Sequence, residues 1–102
     1  MGISVVLETE DGDELERIDD PKNLLHTLLP SENDTSFEYL RGIDWYGDTV
    51  FNRLQMESFL VEWVRLTGRT QNAEVVTLHS RIKHLAERAR QEPHLYLKFY
   101  GD

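Results

Sequence analysis

The chain has no cysteine. A disulfide framework, a cysteine-ligated zinc site and thiol catalysis are therefore excluded. Missing as well is any apolar run near the ~20 residues that a membrane-spanning helix needs. The opening stretch Met1–Leu7 has no basic residue and runs directly into acids, unlike a secretory leader. Together these lacks give the expectation of a cytoplasmic protein with no membrane partner. No glycine-rich phosphate loop, G-x-S-x-G elbow, H-E-x-x-H pair or Cys/His couple occurs either. The expectation for function is accordingly non-enzymatic, with no cofactor and no metal.

Basic residues are scarce in one half of the chain. Residues 1–51 hold thirteen acids against three bases (Arg17, Lys22, Arg41), a net charge of −10. Residues 52–102 hold six acids against eight bases, a net charge of +2, so the total is −8. A nucleic-acid binder carries the opposite overall sign, so no nucleic-acid partner is expected. A basic protein, drawn by long-range attraction, suits the acidic half. With 102 residues, 39% hydrophobic and 29% charged, the composition is that of one folded domain spanning residues 1–102.

Periodicity supplies the elements. Ile3, Val5 and Leu7 alternate as one face of a strand, and Asp11-Gly12 marks a hairpin turn into a weaker edge strand over Glu14–Ile18. Asp20-Pro21 reads as a helix start, Leu24, Leu25, Leu28 and Leu29 as its apolar face, and Pro30 as its stop. Phe37, Tyr39, Ile43 and Trp45 sit at even spacing and predict an extended segment over Phe37–Trp45. A turn at Tyr46-Gly47-Asp48 and a strand at Thr49-Val50-Phe51 follow. Asn52 with Gln55 resembles a capping box for a helix whose apolar stripe is Met56, Phe59, Leu60, Trp63 and Val64. A further helix is expected from about Ala73 to Gln91, its stripe Val75, Leu78, Ile82, Leu85 and Ala89. Leu95, Leu97 and Phe99 alternate with Tyr96, Lys98 and Tyr100 in the clearest strand of the chain, which predicts a central position beside Ile3–Leu7. The expected class is α+β: a small, mostly antiparallel sheet of about 4–5 strands packed with three helices, in the order ββαββααβ.

Several groups invite chemistry. Glu8, Glu10, Asp13 and Glu16 belong to a run of eight acids between Glu8 and Asp20. Its spacing does not fit a calcium loop, and a solvated hairpin or a partner-binding patch is expected instead. Asp44 and Asp48 bracket Trp45-Tyr46-Gly47; as a carboxylate pair they would suit a small metal-dependent hydrolase, and as a turn carrying two aromatics they would suit an interface. His79 and His84 lie five positions apart on one helix, about 140° around its axis, so they do not share a face as metal ligands would. Arg81, His84 and Arg88 form a stripe on the same helix that suits phosphates or an acidic peptide. Tyr96 and Tyr100, beside Lys98 and Val6, would line an open sheet face if every helix covers the other side, and such a face suits self-association.

The segments Ile43-Asp44-Trp45-Tyr46-Gly47-Asp48-Thr49-Val50-Phe51-Asn52 and Leu95-Tyr96-Leu97-Lys98-Phe99-Tyr100-Gly101-Asp102 resemble a group of short, uncharacterised (hypothetical) bacterial proteins of about this length. The resemblance extends over most of the chain, Leu24–Pro30 included. It implies a self-contained bacterial domain and carries no activity or site residues. The leading expectation is a small acidic interaction protein of the immunity or inhibitor kind. It would bind a basic protein partner through Glu8, Glu10, Asp13, Glu16, Asp44, Trp45, Tyr46 and Asp48.

Overall fold

The computed structural model describes residues 2–101. Met1 and Asp102, the outer ends of two segments considered above, lie outside the described residues. Four strands form one sheet: β1 (Ser4–Thr9), β2 (Glu14–Asp19), β3 (Asp48–Phe51) and β4 (Leu95–Tyr100), in the spatial order β2-β1-β4-β3. Every pairing is antiparallel. The last strand is central and pairs along its whole length with β1, from Ser4↔Tyr100 to Thr9↔Leu95. Its strict alternation explains the position, because only an interior strand must present one consistent face to a core while bonded on both edges.

The β1–β2 hairpin turns where expected. Gly12 sits at φ 89, a left-handed conformation that glycine adopts without steric cost. A bulge shifts the register so that Leu7 faces Glu16 while Glu8 faces Glu14. β2 is an edge, exposed except at Ile18, as its poor patterning implies.

Two α-helices cover one face of the sheet, α1 (Met56–Arg65) and α2 (Ala73–Gln91). Asn52 and Gln55 make the expected capping box, which opens a single 3-10 turn leading into α1. On α1, Met56, Phe59, Leu60 and Trp63 face inward, whereas Val64 is exposed and Glu62 is buried. The α2 stripe is buried throughout, from Val75 to Ala89. Phe51, Phe59 and Phe99 cluster with ring centroids 5.1–6.0 Å apart. Trp63 stacks on Phe59 at 5.5 Å on one side and on His79 at 5.0 Å on the other. Trp63 and His79 also exchange hydrogen bonds: the indole donates to the His79 carbonyl (3.1 Å) and the His79 Nε2 donates to the Trp63 carbonyl (2.7 Å). These bonds lock α1 against α2 and give His79 a structural place.

Two expected elements take other forms. The first of the three expected helices is only a 3-10 turn, Leu24–Thr27. Asp20 does bind its amides, receiving Leu24 and Leu25 N–H at 2.8 Å each, but Pro21 lies in the preceding turn and Asn23 adopts a left-handed φ of 55. That geometry starts the turn too late for more than one helical turn before Pro30. The extended segment expected over Phe37–Trp45 is instead a series of tight turns containing the 3-10 helix Leu40–Gly42. The buried residues there are Phe37, Leu40 and Ile43, spaced by three. A spacing of three is the period of a 3-10 turn, and it overrides the even spacing of Phe37, Tyr39, Ile43 and Trp45. The sheet therefore has four strands, and the α-helices number two among the described residues.

What holds the 37–43 turns is the buried Glu62 carboxylate, which accepts the Tyr39 and Leu40 amides at 3.0–3.1 Å. Without it, buried N–H groups lose their acceptor. Glu62→Ala is expected to lower stability by about 2–3 kcal/mol and Glu62→Gln by less, both read by urea denaturation. An Ala variant as stable as the parent would show that the carboxylate does not hold this segment.

Candidate functional site

With the Ile3, Val5, Leu7, Leu97 and Phe99 side chains in the core, the alternate positions form a second face that no helix covers among the described residues. β1 contributes Ser4, Val6 and Glu8, β4 contributes Tyr96, Lys98 and Tyr100, and β3 contributes Asp48 and Val50. Glu14, Arg17 and Asp19 extend it along β2. The open face and its tyrosines are thus present, Tyr96 and Tyr100 half-buried.

This face is laced with charge. Glu8 is only 4% exposed; its carboxylate accepts the Tyr100 hydroxyl on one oxygen and pairs with Lys98 Nζ at 2.9 Å on the other. Arg17 bonds Glu14 at 2.7 Å and Asp19 at 2.9 Å, and Ser4 Oγ donates to Asp19 at 2.7 Å. Val6, fully buried, lies between Arg17 and Lys98 in the two ladders, flanked by their aliphatic stems. Burial alone would raise the Glu8 carboxyl, but the Tyr100 hydroxyl and the Lys98 ammonium outweigh it and hold it below its ordinary value. Lys98 is raised by the bond to Glu8, and Tyr100 is raised by burial and by Glu8.

The expected site residues fall into two groups. Glu10, Asp13 and Glu16 are exposed on the hairpin, while Glu8 is buried and engaged. Glu16 reaches Arg88 at 2.8 Å, and Glu10 meets the His94 ring at 2.9 Å and donates its amide to the His94 carbonyl. His94 holds φ 63, a conformation uncommon outside glycine. At the other end of the sheet, Asp44 Oδ1 accepts the Tyr46 amide at 2.8 Å and its own amide binds Thr49 Oγ1 at 2.9 Å, which shapes the turn. Trp45 packs against the core with its ring edge-on to His26 at 5.2 Å, and Tyr46 stands 83% exposed. Asp48 opens β3 opposite Tyr100. The hairpin turn adjoins the Leu95 end of β4 and the 44–48 turn adjoins its Tyr100 end, so the two groups are separated by about the length of a six-residue strand.

Those two resemblance-bearing segments, 43–52 and 95–101, are neighbours in space. The Gly101 amide donates to the Gly47 carbonyl at 2.7 Å, and a Cβ on Gly101 would stand 2.6 Å from the Trp45 carbonyl oxygen. Beside Asp44, Trp45 and Tyr46 lies a cleft of about 610 Å³ whose far wall carries Glu32 and Arg41. No cluster of three side chains able to hold a metal occurs among the described residues.

The charge polarity along the chain is not a polarity in space. Acids of the first half meet bases of the second at Glu8–Lys98, Glu16–Arg88 and Asp34–Arg69 (3.9 Å), and Lys22 crosses the other way to Glu74 (3.0 Å). Sequence reasoning missed Arg17, Asp19 and Ser4 as members of the open-face network. The pairing of β1 between β2 and β4 brings them together, and the alternation of Ser4, Val6 and Glu8 was the available signal.

A group with a lowered folded pKa stabilises the protein above its ordinary pKa, and that contribution is lost as pH falls through the lowered value. Glu8 therefore adds stability at neutral pH that disappears under acid. Lys98, raised, adds stability that is lost only as pH rises through its folded value. Glu8→Gln should be less stable at pH 7 and lose less stability than the parent as pH falls below about 5, measured by urea midpoints across pH. Parallel pH profiles for the two proteins would refute the coupling.

Comparison of the chain with protein-family models, with curated protein sequences and with solved structures found no match.

Proposed function

We propose that this protein is a non-enzymatic binding module whose uncovered sheet face and acidic hairpin receive a basic protein partner, in the manner of an immunity protein or inhibitor. The observation that supports it is the sheet face. Its side chains include four carboxylates (Glu8, Glu14, Asp19, Asp48) against two cations (Arg17, Lys98), with half-buried tyrosines among them. A face of this make-up offers aromatic contact area inside an electronegative rim, the arrangement that favours a cationic surface. A standard interface covers 20–30 residues a side, enough to span the face from the hairpin to the exposed Tyr46.

Asp11 and Asp13 at the hairpin turn have no ion pair among the described residues, which leaves them available to a partner. Glu8 and Glu16 are bound internally, and changing them would disturb the protein itself. The test is capture of a partner from the native host followed by kinetics with the Asp11→Lys/Asp13→Lys variant. Association at low salt should slow by about tenfold and lose most of its salt dependence, with the fold unchanged. An unaltered association rate would defeat this reading.

The same uncovered face also supports self-association through Tyr96 and Tyr100. A two-fold interface would set its acids against their own copies, which opposes pairing at low ionic strength. Light scattering at high micromolar concentration separates the readings: a monomer supports the hetero-partner, and a dimer dissociated by Tyr96→Glu supports self-association.

A further inference from the structure

The basic stripe Arg81, His84 and Arg88 on α2 does not act as a unit. Arg88 is taken up by Glu16 and by Glu92, each at 2.8 Å. Arg81 instead lies in a crevice between α2 and the chain running from β2 to Leu24, where it lines two adjoining depressions of about 390 Å³ and 260 Å³. Ion pairs reach across both ends, Glu16–Arg88 at one and Lys22–Glu74 at the other. The walls of the larger depression are apolar at Pro21, Leu24, Ala73 and Leu78.

The charged groups lining that depression are nearly all engaged. Asp20 holds the Leu24 and Leu25 amides, Asp19 holds Ser4 and Arg17, and Glu74 holds Lys22. Arg81 alone has neither an ion pair nor a side-chain hydrogen bond among the described residues. Small-molecule sites have this character: concave, mostly apolar and a few hundred Å³ in volume, with one or two polar groups that set orientation. A bare inorganic anion would gain nothing from the apolar walls. A neutral apolar molecule would leave the guanidinium without a counter-charge.

The geometry points to a binding site for a small organic acid, its carboxylate on the Arg81 guanidinium and its apolar body over Pro21, Leu24, Ala73 and Leu78. Guanidinium is the side chain suited to a carboxylate, because its planar fork donates two parallel hydrogen bonds. This site lies between α2 and the β2 edge, touches the uncovered face only at Asp19 and Arg17, and does not depend on the partner-binding reading.

Octanoate titrated into the isotopically labelled protein tests it, with octanol and inorganic phosphate as counterparts. Octanoate should shift the amides around Leu24, Leu78 and Arg81 saturably, and octanol and phosphate should bind at least about tenfold more weakly. Arg81→Gln should weaken octanoate by a similar factor, Arg81→Lys by less, and Lys83→Gln not at all. Arg81 is exposed and unbonded, so the Gln variant keeps the parent's amide spectrum and its partner capture. Equal binding of octanol, undiminished binding by Arg81→Gln, or shifts confined to the open sheet face would each overturn the proposal.

Discussion

Strand β4 is hydrogen-bonded on both edges, and its side chains serve two different environments. Leu95, Leu97 and Phe99 enter the core, and Tyr96, Lys98 and Tyr100 meet the outside. Because the strand period is two, a slip of one residue against β1 would bury a lysine and expose Phe99. The register that avoids this also sets Ser4 beside Tyr100 and Glu8 near Lys98. Both the core and the open face are consequences of that one pairing. The aromatic cluster of Phe51, Phe59 and Phe99, with Trp63 stacked on Phe59, is built outward from it.

The irregular half of the chain is organised by a second device, used twice. Asp20 and Glu62 are buried acids at 4% and 7% exposure, and each accepts two consecutive backbone amides at a tight turn. Loop amides that enter a core must find an acceptor, and a carboxylate offers more lone pairs than a neutral side chain. In this way segments with too few residues for an α-helix are held against the core without a sheet ladder. Part of the acidity of the chain is therefore structural.

Strands β1 and β4 and both long helices were legible because each carries a clean period of two or of three to four, Asn52 marking the approach to α1, and β2 was legible from the Asp11-Gly12 turn that returns the chain beside β1. Phe37–Trp45 was not. Its apolar residues satisfy two periods at once, and the choice between them is made by Glu62, twenty-three positions away from Tyr39. The open face was legible as a possibility from Tyr96, Lys98 and Tyr100, but its charge network was not. Arg17, Glu8 and Lys98 are brought together by strand order, which a linear pattern does not contain. Asp44 and Trp45 looked like surface determinants in the sequence; Asp44 is exposed but its Oδ1 holds the turn, Trp45 packs against the core, and the exposed Tyr46 ring is engaged by neither.

The same spatial rearrangement changes what the net charge means. Counting along the chain puts nearly all the negative charge in the first half, but Lys98, Arg88 and Arg69 return from the second half to meet it. What is left unpaired decides how the surface interacts. Among the described residues, the acids without an ion pair that border the sheet face are Asp11 and Asp13 at the hairpin turn, beyond the paired Glu10, and Asp48 beside the exposed Tyr46. These positions mark opposite ends of the sheet face. A small cation would find nothing to bridge that distance, since the acids between the two ends are held by Arg17 and Lys98. An extended basic surface, the partner proposed above, would meet both ends at once, and with them the tyrosines in between.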